Sequence, residues 1–384
     1  MNIKRNNLHI SMTAFKHESR VLKETKTIAR LDFVDHVFIA ALHEESLAEE
    51  EIIDKNRTLK RFKLRTRRLP KNIFFQLIKY FEFFLKLYFF YKSRKVSMIN
   101  IHVLALMPIG VLLKFLFSAK LVYDTHELET ETISLKGIRK RLAKILEKVL
   151  IIFCDRIICV NKSIADWYKN RYSLKFDPLV IINSPEDMEL SKKKNLFRQK
   201  FKLNIKQKIC LYQGGLSRGR GIEMLLKNFS VRKLSDWVIV FMGYGPLEDE
   251  ILIHSENNNN IFFHPAVRPE QIYNYTSSAD LGLLFFEKEP LSYALCLPNK
   301  FFEYAMSGLP ILSSDNIEYK NYIKKYNCGI YVSPNNYEGI NKILSNLNES
   351  EISRFADNSL KMFRENSWQV QEKKLKSMYL SLLK

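Results

Sequence analysis

The sequence predicts an α/β protein of two doubly wound parallel-sheet domains in tandem, and three observations carry that expectation. The chain has 384 residues, more than a single core of ordinary size organises. Short apolar runs alternate with helical patterns from one end to the other. The alternation lapses once, in "NSPEDMELSKKKNLFRQKFKLNIKQK", where lysines and polar residues replace apolar periodicity ahead of a strand at Ile209. The boundary is therefore placed near residue 190, with a first domain over 1–190, a second over 191–365 and a helical segment over 366–384.

The elements follow in order. "LHIS", "HVFIAAL", "INIHVL", "KLVYDT", "RIICVN" and "PLVIIN" read as strands in the first half, with helical spacing over 19–30, 72–92 and 136–150. "KICLYQG", "WVIVFMG", "IFFHPAV", "LGLLFF", "PILSS" and "GIYVS" read as strands in the second, with a helix over 221–228. Continuous apolar runs fit strands covered by helices on both faces. No repeat of 20 to 50 residues is visible, and the "NNNN" at 257–260 reads as a solvent loop. Parallel sheets take ligands beyond the carboxyl ends of their strands, and two such sheets facing each other create a cleft. The strand-to-helix turns therefore carry most weight.

Lysine and arginine number 61 against 41 acidic residues, a formal charge of +20. The excess points to an anionic partner: nucleic acid, phospholipid headgroups or a phosphorylated small molecule. Lysines scattered on a solvated face account for part of it. Cys154, Cys159, Cys210, Cys296 and Cys328 stand singly beside apolar residues, which argues against a zinc site or disulfide framework and fits a reducing cytosol. "MNIKRNNLHISM" has no apolar core of signal-peptide length, and no stretch reaches the roughly 18 uncharged apolar residues that span a bilayer. A soluble or membrane-peripheral cytoplasmic protein is expected.

Three turns hold residues with chemical capacity. In "LYQGGLSRGRGIEMLL" a strand runs into Gly214 and Gly215, then Arg218, Gly219, Arg220 and Gly221, then a helix. Glycines admit an anion close to the backbone, the arginines add charge, and the helix start adds free N–H donors. The spacing matches neither the dinucleotide fingerprint nor the P-loop. A tight turn with two solvated arginines fits the same residues.

In "LPNKFFEYAMSGLPILSSD", Pro298 suits the first turn of a helix, so that residues 299–301 would offer free N–H groups with Lys300 adding charge. Glu303, three residues after Lys300, shares its face and suits sugar hydroxyls better than phosphate. A surface Lys300–Glu303 pair is the plainer alternative. In "KLVYDTHELETE" a strand ends at Asp124, and His126 could donate to a phosphate or sugar oxygen or be a structural histidine, as could His102 in "INIHV".

Taken in order, these turns resemble the GT-B glycosyltransferases of family 4, which transfer sugars from nucleotide diphosphate donors with retention. The resemblance covers nearly the whole chain and is carried by "HESRVLKET", "VYDTHEL", "CDRIICVNKSIADWY", "VIINSPE", "YQGGLSRGRGIEMLL", "FMGYGPLEDEI", "FHPAVRPEQIYNYTSSADLGL" and "LPNKFFEYAMSGLPI". It implies two Rossmann-like doubly wound domains facing across a cleft, with the helix at 366–384 crossing back to the first. Arg220 matches the basic residue that reaches the donor diphosphate, with Gly214 and Gly215 in the turn beside it. Glu303 matches the carboxylate that binds the ribose, His126 the histidine near the transferred sugar, and Val267 the position whose backbone meets the base. Arg218, Pro298, Asn299 and Lys300 complete the expected donor set, and His126, Arg220 and Lys300 the catalytic set.

Two departures stand out. Leu295 replaces an acid that many members carry eight positions before the residue equivalent to Glu303, and Gly215 stands where many carry arginine. Lys300 or Arg218 is then expected to supply the missing charge. The chemistry requires cations and helix dipoles aimed at the leaving diphosphate. No Asp-x-Asp occurs, so no divalent metal and no cofactor are expected. In the mechanism the resemblance implies, the departing phosphate takes the acceptor proton, and His126 stabilises rather than abstracts.

Residues 55–95 open with a basic run and continue as a helix whose charges, Lys79, Glu82 and Lys86, share one side, and "KGIRKRLAKILEKVL" at 136–150 is a second basic helix. Aromatics flanked by cations fit an anionic membrane surface, here the inner face of the cytoplasmic membrane; a helix buried on a sheet is the rival reading. Nucleic acid is not expected, since no stacking platform or binding motif appears. The expected activity is retaining transfer from a nucleotide sugar, UDP-sugar favoured by family frequency, to a cell-envelope, capsule, O-antigen or other lipid-linked glycan. The alternative is a non-catalytic nucleotide-sugar or polyanion binder on the same fold, motivated by Leu295 and Gly215.

Overall fold

The structure, a computed structural model, describes residues 5–16, 18–187, 193–231, 236–334 and 339–382. The chain divides into two compact units, Met1–Ile181 with Gln371–Lys384, and Ile182–Val370. The boundary expected near residue 190 lies outside the described residues, as does His17 at the head of "HESRVLKET".

The first unit is built on eight strands: β1 (Arg5–Ile10), β2 (Val34–Leu42), β3 (Glu50–Asp54), β4 (Arg57–Phe62), β5 (Val96–Ile101), β6 (Lys120–Thr125), β7 (Arg156–Cys159) and β8 (Leu179–Val180). Their order is β3-β4-β2-β1-β5-β6-β7-β8. Leu8, Ile10, Ile39, Ile99 and Ile101 are fully buried, as strands covered on both faces require. Helices α1 (Ser19–Ile28), α2 (Ile73–Tyr91), α3 (Met107–Phe117) and α4 (Gly137–Leu150) follow strands in this unit. Asn72 caps α2, its side chain accepting from Phe75 N at 3.0 Å.

The expectation, over residues 55–95, of a basic run leading directly into a helix is corrected at Arg57–Phe62, which form a strand. β3 pairs antiparallel with β4, and β4 adds to β2 in parallel. Arg57 and Arg61 on β4 are buried rather than solvated. Arg57 Nη1 donates to Leu22 O at 2.9 Å and Arg61 Nε to Ala14 O at 2.9 Å, while Asp54 and Glu51 neutralise them. Satisfied guanidinium groups on the inward face hid the strand alternation. Some of the basic charge read as surface therefore points inward.

The second unit carries β9 (Lys208–Gly215), β10 (Trp237–Tyr244), β11 (Ile261–Pro265), β12 (Leu281–Leu284), β13 (Ile311–Ser314) and β14 (Gly329–Val332) in the order β11-β10-β9-β12-β13-β14. All of these pairs are parallel. Tyr212, Leu225, Phe241, Leu283 and Phe285 lie in its core. The chain order reverses between β9 and β12, which makes their carboxyl ends the place where such a sheet takes a ligand. The last helix, Trp368–Leu382, ends in the first unit, where the Tyr379 hydroxyl donates to Asn100 Oδ1 at 2.5 Å. Among the described residues no helix is long and apolar enough to cross a membrane.

Candidate functional site

At the reversal point of the second sheet, β9 runs into the glycine turn 214–221 and then the helix Ile222–Val231. β12 runs through Phe285 and Phe286 towards the helix Asn299–Met306. Glu287 N donates to Gly219 O at 2.9 Å and ties the two connections together.

Arg220 and Lys300 come from these connections and share one aromatic ring. The Arg220 guanidinium carbon lies 5.5 Å, and Lys300 Nζ 5.6 Å, from the centre of Phe286. Lys300 Nζ also stands 3.7 Å over Tyr212. Both Arg220 Nε and Lys300 Nζ are buried without a hydrogen-bond partner. Burial, and next the Arg220 charge, brings the Lys300 ammonium down to about 7. A buried lysine and a half-buried arginine, each with an unused donor beside a helix start, form a site suited to an anion.

The same geometry accounts for Gly215. A Cβ there would lie 2.8 Å from Arg220 Nη1, so the guanidinium crosses the space a side chain at this position would need.

Glu303 is oriented through the sheet. Its Oε2 accepts from Gln213 Nε2 at 2.5 Å, and Gln213 Oε1 accepts from Thr276 Oγ1 at 2.7 Å. The Tyr304 hydroxyl accepts from Gln213 N at 3.0 Å and sits between the Leu211 and Leu283 carbonyls. An ionised carboxylate only accepts, so this contact fixes which end of the Gln213 amide faces it. The surface Lys300–Glu303 pair is not met: Lys300 is 7 % exposed and its Nζ makes no hydrogen bond.

Two expectations change in detail. Pro298 is the N-cap (φ −75°, ψ 155°) rather than a first-turn residue, and the helix starts at Asn299. The proline ring suits extended backbone as well as helix, and Phe301 N then closes on Pro298 O at 3.0 Å. Of the three amides expected to be free, that of Phe301 is used. Arg218 points away, its side chain 88 % exposed and its Nε 3.9 Å from Glu223. Gly214 takes a positive φ of 109°, Asn299 is exposed, Val267 is half-buried after β11, and Leu295 ends the short helix Leu291–Ala294.

In the first unit, the chain order reverses between β1 and β5, and a buried polar chain lies at their carboxyl ends. His126 Nε2 and His102 Nδ1 each lie 3.1 Å from Asp124 Oδ2, and His102 Nε2 lies 2.9 Å from His9 Nδ1. Arg20 Nη2 donates to Asp124 Oδ1 at 2.7 Å, and Arg20 also pairs with Glu24 at 3.0 Å. Burial alone would raise Asp124, but the Arg20 guanidinium and then His126 hold it well below the usual carboxylate range. Burial lowers His102 and His9, so both stay neutral near neutral pH. Asp124 accepts from His102 Nδ1–H, which leaves Nε2 to accept from His9 Nδ1–H. His126 is thus tethered through Nε2 by a charged partner, with its side chain 31 % exposed.

His9, Glu24 and His102, and His102, Asp124 and His126, bring ligand-type atoms within 4.8 Å of one another. Both nitrogens of His102 are engaged and Arg20 already pairs with Asp124 and Glu24, which suits a hydrogen-bonded network better than a metal centre. Sequence reasoning missed Gln213, Tyr212, Phe286 and Arg20. Gln213 had a signal, since it is the last side chain before the glycines of "LYQGG"; the others depend on contacts from distant chain.

Comparison with known proteins follows this geometry. Residues 193–369 match the family model for glycosyl transferases group 1, and residues 22–190 match that for Glycosyltransferase Family 4. No curated protein matches the sequence. Among solved structures, sucrose-phosphate synthase from Thermosynechococcus elongatus superposes with a TM-score of 0.78 at 15% identity, covering 99% of each chain. Anabaena Alr3699/HepE in complex with UDP and glucose gives 0.75 at 12% identity, over 98% of this chain and 100% of that one. WaaG, a glycosyltransferase involved in lipopolysaccharide biosynthesis, gives 0.69 at 14% identity, over 97% and 99%. At these identities the likeness shows a shared fold.

Proposed function

The chain belongs to the GT-B glycosyltransferases, with a Family 4 match in its first half and a group 1 match in its second, and from that premise we propose that it transfers a sugar with retention from a nucleotide diphosphate donor to a lipid-linked or cell-envelope glycan. The observation that carries the donor reading is the pair of basic side chains at the reversal point of the second sheet, buried Lys300 and half-buried Arg220, whose Nζ and Nε are buried without a hydrogen-bond partner. As the sugar–phosphate bond breaks, negative charge develops on the leaving diphosphate, and these two side chains and the helix start at Asn299 oppose it. The departing phosphate takes the acceptor proton. Glu303, held by Gln213, accepts from the ribose hydroxyls, and His126, held by Asp124, serves the transferred sugar. The Anabaena structure was solved with UDP and glucose, which supports a uridine nucleotide as the first donor to try. The charge supplied by Arg220 and Lys300 supports a metal-independent reaction.

The acceptor side of the proposal rests on α4, which is turned inside out. Ile138, Leu142, Ile145 and Val149 are exposed, whereas Glu147 is buried and accepts from Tyr123 and Tyr168 at 3.0 and 2.9 Å and from Tyr172. Arg139, Arg141 and Lys148 stand exposed on the same helix. On α2, Ile73, Phe74, Leu77 and Phe81 are exposed while Glu82 turns inward to accept from Arg65 N and Thr66 N. Exposed apolar rows bordered by cations support docking of this unit on an anionic bilayer, the inner face of the cytoplasmic membrane.

Purified protein incubated with a panel of nucleotide sugars, with and without a chelator, tests the donor reading. Release of nucleoside diphosphate that survives chelation and falls in Arg220→Met supports it. Measurable UDP binding without turnover of any donor would favour a non-catalytic binder, the reading that Leu295 motivates. Sedimentation with anionic vesicles tests the docking: protein that stays in solution at low salt would contradict it.

A further inference from the structure

The unpartnered cations of the second unit carry an inference that rests on the donor reading and extends it. Lys300 Nζ is enclosed by groups that leave it no acceptor. β9 contributes the Tyr212 ring at 3.7 Å, the chain after β12 the Phe286 ring at 5.6 Å, and the glycine turn the Arg220 guanidinium. Cys296, whose Sγ lies 2.8 Å from the Tyr319 hydroxyl, and Glu303, engaged by Gln213, complete the titratable surroundings. An ammonium here has lost its water, faces a like charge and stands in the first turn of its own helix, at the positive end of the dipole. Each of the three disfavours the charged form. Lysine can respond by giving up its proton, whereas the neighbouring arginine cannot.

We propose that above neutral pH Lys300 is a neutral amine in the unliganded protein and takes up one proton from solvent when the diphosphate of donor or product binds between it and Arg220. The arriving anion reverses the balance: it pairs with the ammonium, offsets the Arg220 repulsion and supplies the missing acceptor. Diphosphate binding is therefore linked to protons at this residue. With a free value of about 7, returning towards the ordinary lysine value of about 10 in the complex, the uptake is about 0.9 proton near pH 8 and about 0.1 near pH 6. Affinity for the diphosphate should fall up to about tenfold for each pH unit above about 7.

The test is calorimetric titration of the full-length protein with UDP, in buffers of different ionisation enthalpy, near pH 6 and near pH 8. Near pH 8 the terminal phosphate of UDP is already ionised, since its second ionisation lies near about 6. The expected result is an uptake close to one proton near pH 8; near pH 6, where Lys300 takes up little, the half-protonated terminal phosphate gives up its proton on pairing with the cations and the net is release. Lys300→Arg, permanently charged, should bind UDP with uptake near zero, and Lys300→Met should bind more weakly, also without uptake. Wild-type binding near pH 8 without proton uptake, or uptake that persists in Lys300→Met, overturns the inference while leaving the donor reading in place. Failure of UDP to bind at either pH sinks the donor reading instead. Inorganic pyrophosphate titrated in the same way into wild type and Lys300→Met then decides the inference: a proton uptake more positive in wild type near pH 8 supports it, and an equal proton balance in the two proteins or no binding overturns it.

Discussion

Replacing Gln213 by glutamate tests whether Glu303 is an ionised acceptor held through the sheet. Gln213 Nε2 and Glu303 Oε2 are 2.5 Å apart and the glutamine is buried, so the variant sets a second carboxylate against the first. Two unit charges about 3 Å apart at an effective dielectric of about 20 repel by about 5.5 kcal/mol, the equivalent of about 4 pKa units. The pair avoids most of this cost by holding one proton, so its upper ionisation rises well above the ordinary carboxylate range. A folded-state value raised above the unfolded one, near about 4.3, gives relative stability that is present below the unfolded value and lost as pH rises through the folded value. Gln213→Glu should therefore match wild type closely near pH 4 and lose stability between about pH 4 and about pH 8. Side-chain movement should reduce the loss to about 2–3 kcal/mol. Thermal unfolding at several pH values reads the widening gap, and the donor KM should rise at least about tenfold near pH 8 and less near pH 6. The uncharged control Gln213→Met should lose about 1.5–3 kcal/mol of hydrogen bonding to a charged group without the pH trend. A gap that stays constant with pH, together with an unchanged KM, would refute the reasoning.

Arg220→Met should raise the donor KM by about 10- to 100-fold, the value of one or two hydrogen bonds to a charged group, with little change in melting temperature, since Arg220 Nε has no partner to lose. Two neighbouring glycines should separate stability from binding. Gly221 has a φ of 72° and an added Cβ would stand 2.4 Å from Phe285 Cβ, so Gly221→Ala should destabilise the protein by about 2–4 kcal/mol, read by thermal unfolding. At Gly215 the added Cβ meets the movable end of Arg220, so Gly215→Ala should change stability by less than about 1 kcal/mol while weakening the donor, read by KM. On α4, Ile138→Glu with Ile145→Glu should abolish sedimentation with anionic vesicles and leave nucleoside diphosphate release unchanged, because both side chains are exposed.

Much of the fold was legible because parallel strands covered on both faces must be apolar. "KLVYDT" is β6 residue for residue, and the glycine turn does open a helix after β9. β3 and β4 were illegible for the reason that makes them stable: Arg57 and Arg61 point inward and are satisfied by backbone carbonyls and acids, which no alternation of apolar and polar letters reveals. At the candidate site the residue types could be read, but not their states. Lys300 looks like any surface lysine until Tyr212 and Phe286, from separate elements, close over it. Arg218 and Arg220 sit two residues apart, yet one is exposed to solvent and the other is drawn across Gly215. Glu147 reads as part of a charged helix face until tyrosines from β6 and from residues 168 and 172 converge on it. For Lys300 and Glu147 the deciding contacts come from distant chain.

The most direct measurement is a crystal structure of the protein grown with UDP. The account predicts both phosphates within hydrogen-bond distance of Arg220 and Lys300, and the ribose hydroxyls donating to Glu303. A nucleotide bound elsewhere, or one whose phosphates leave these two cations untouched, would contradict it.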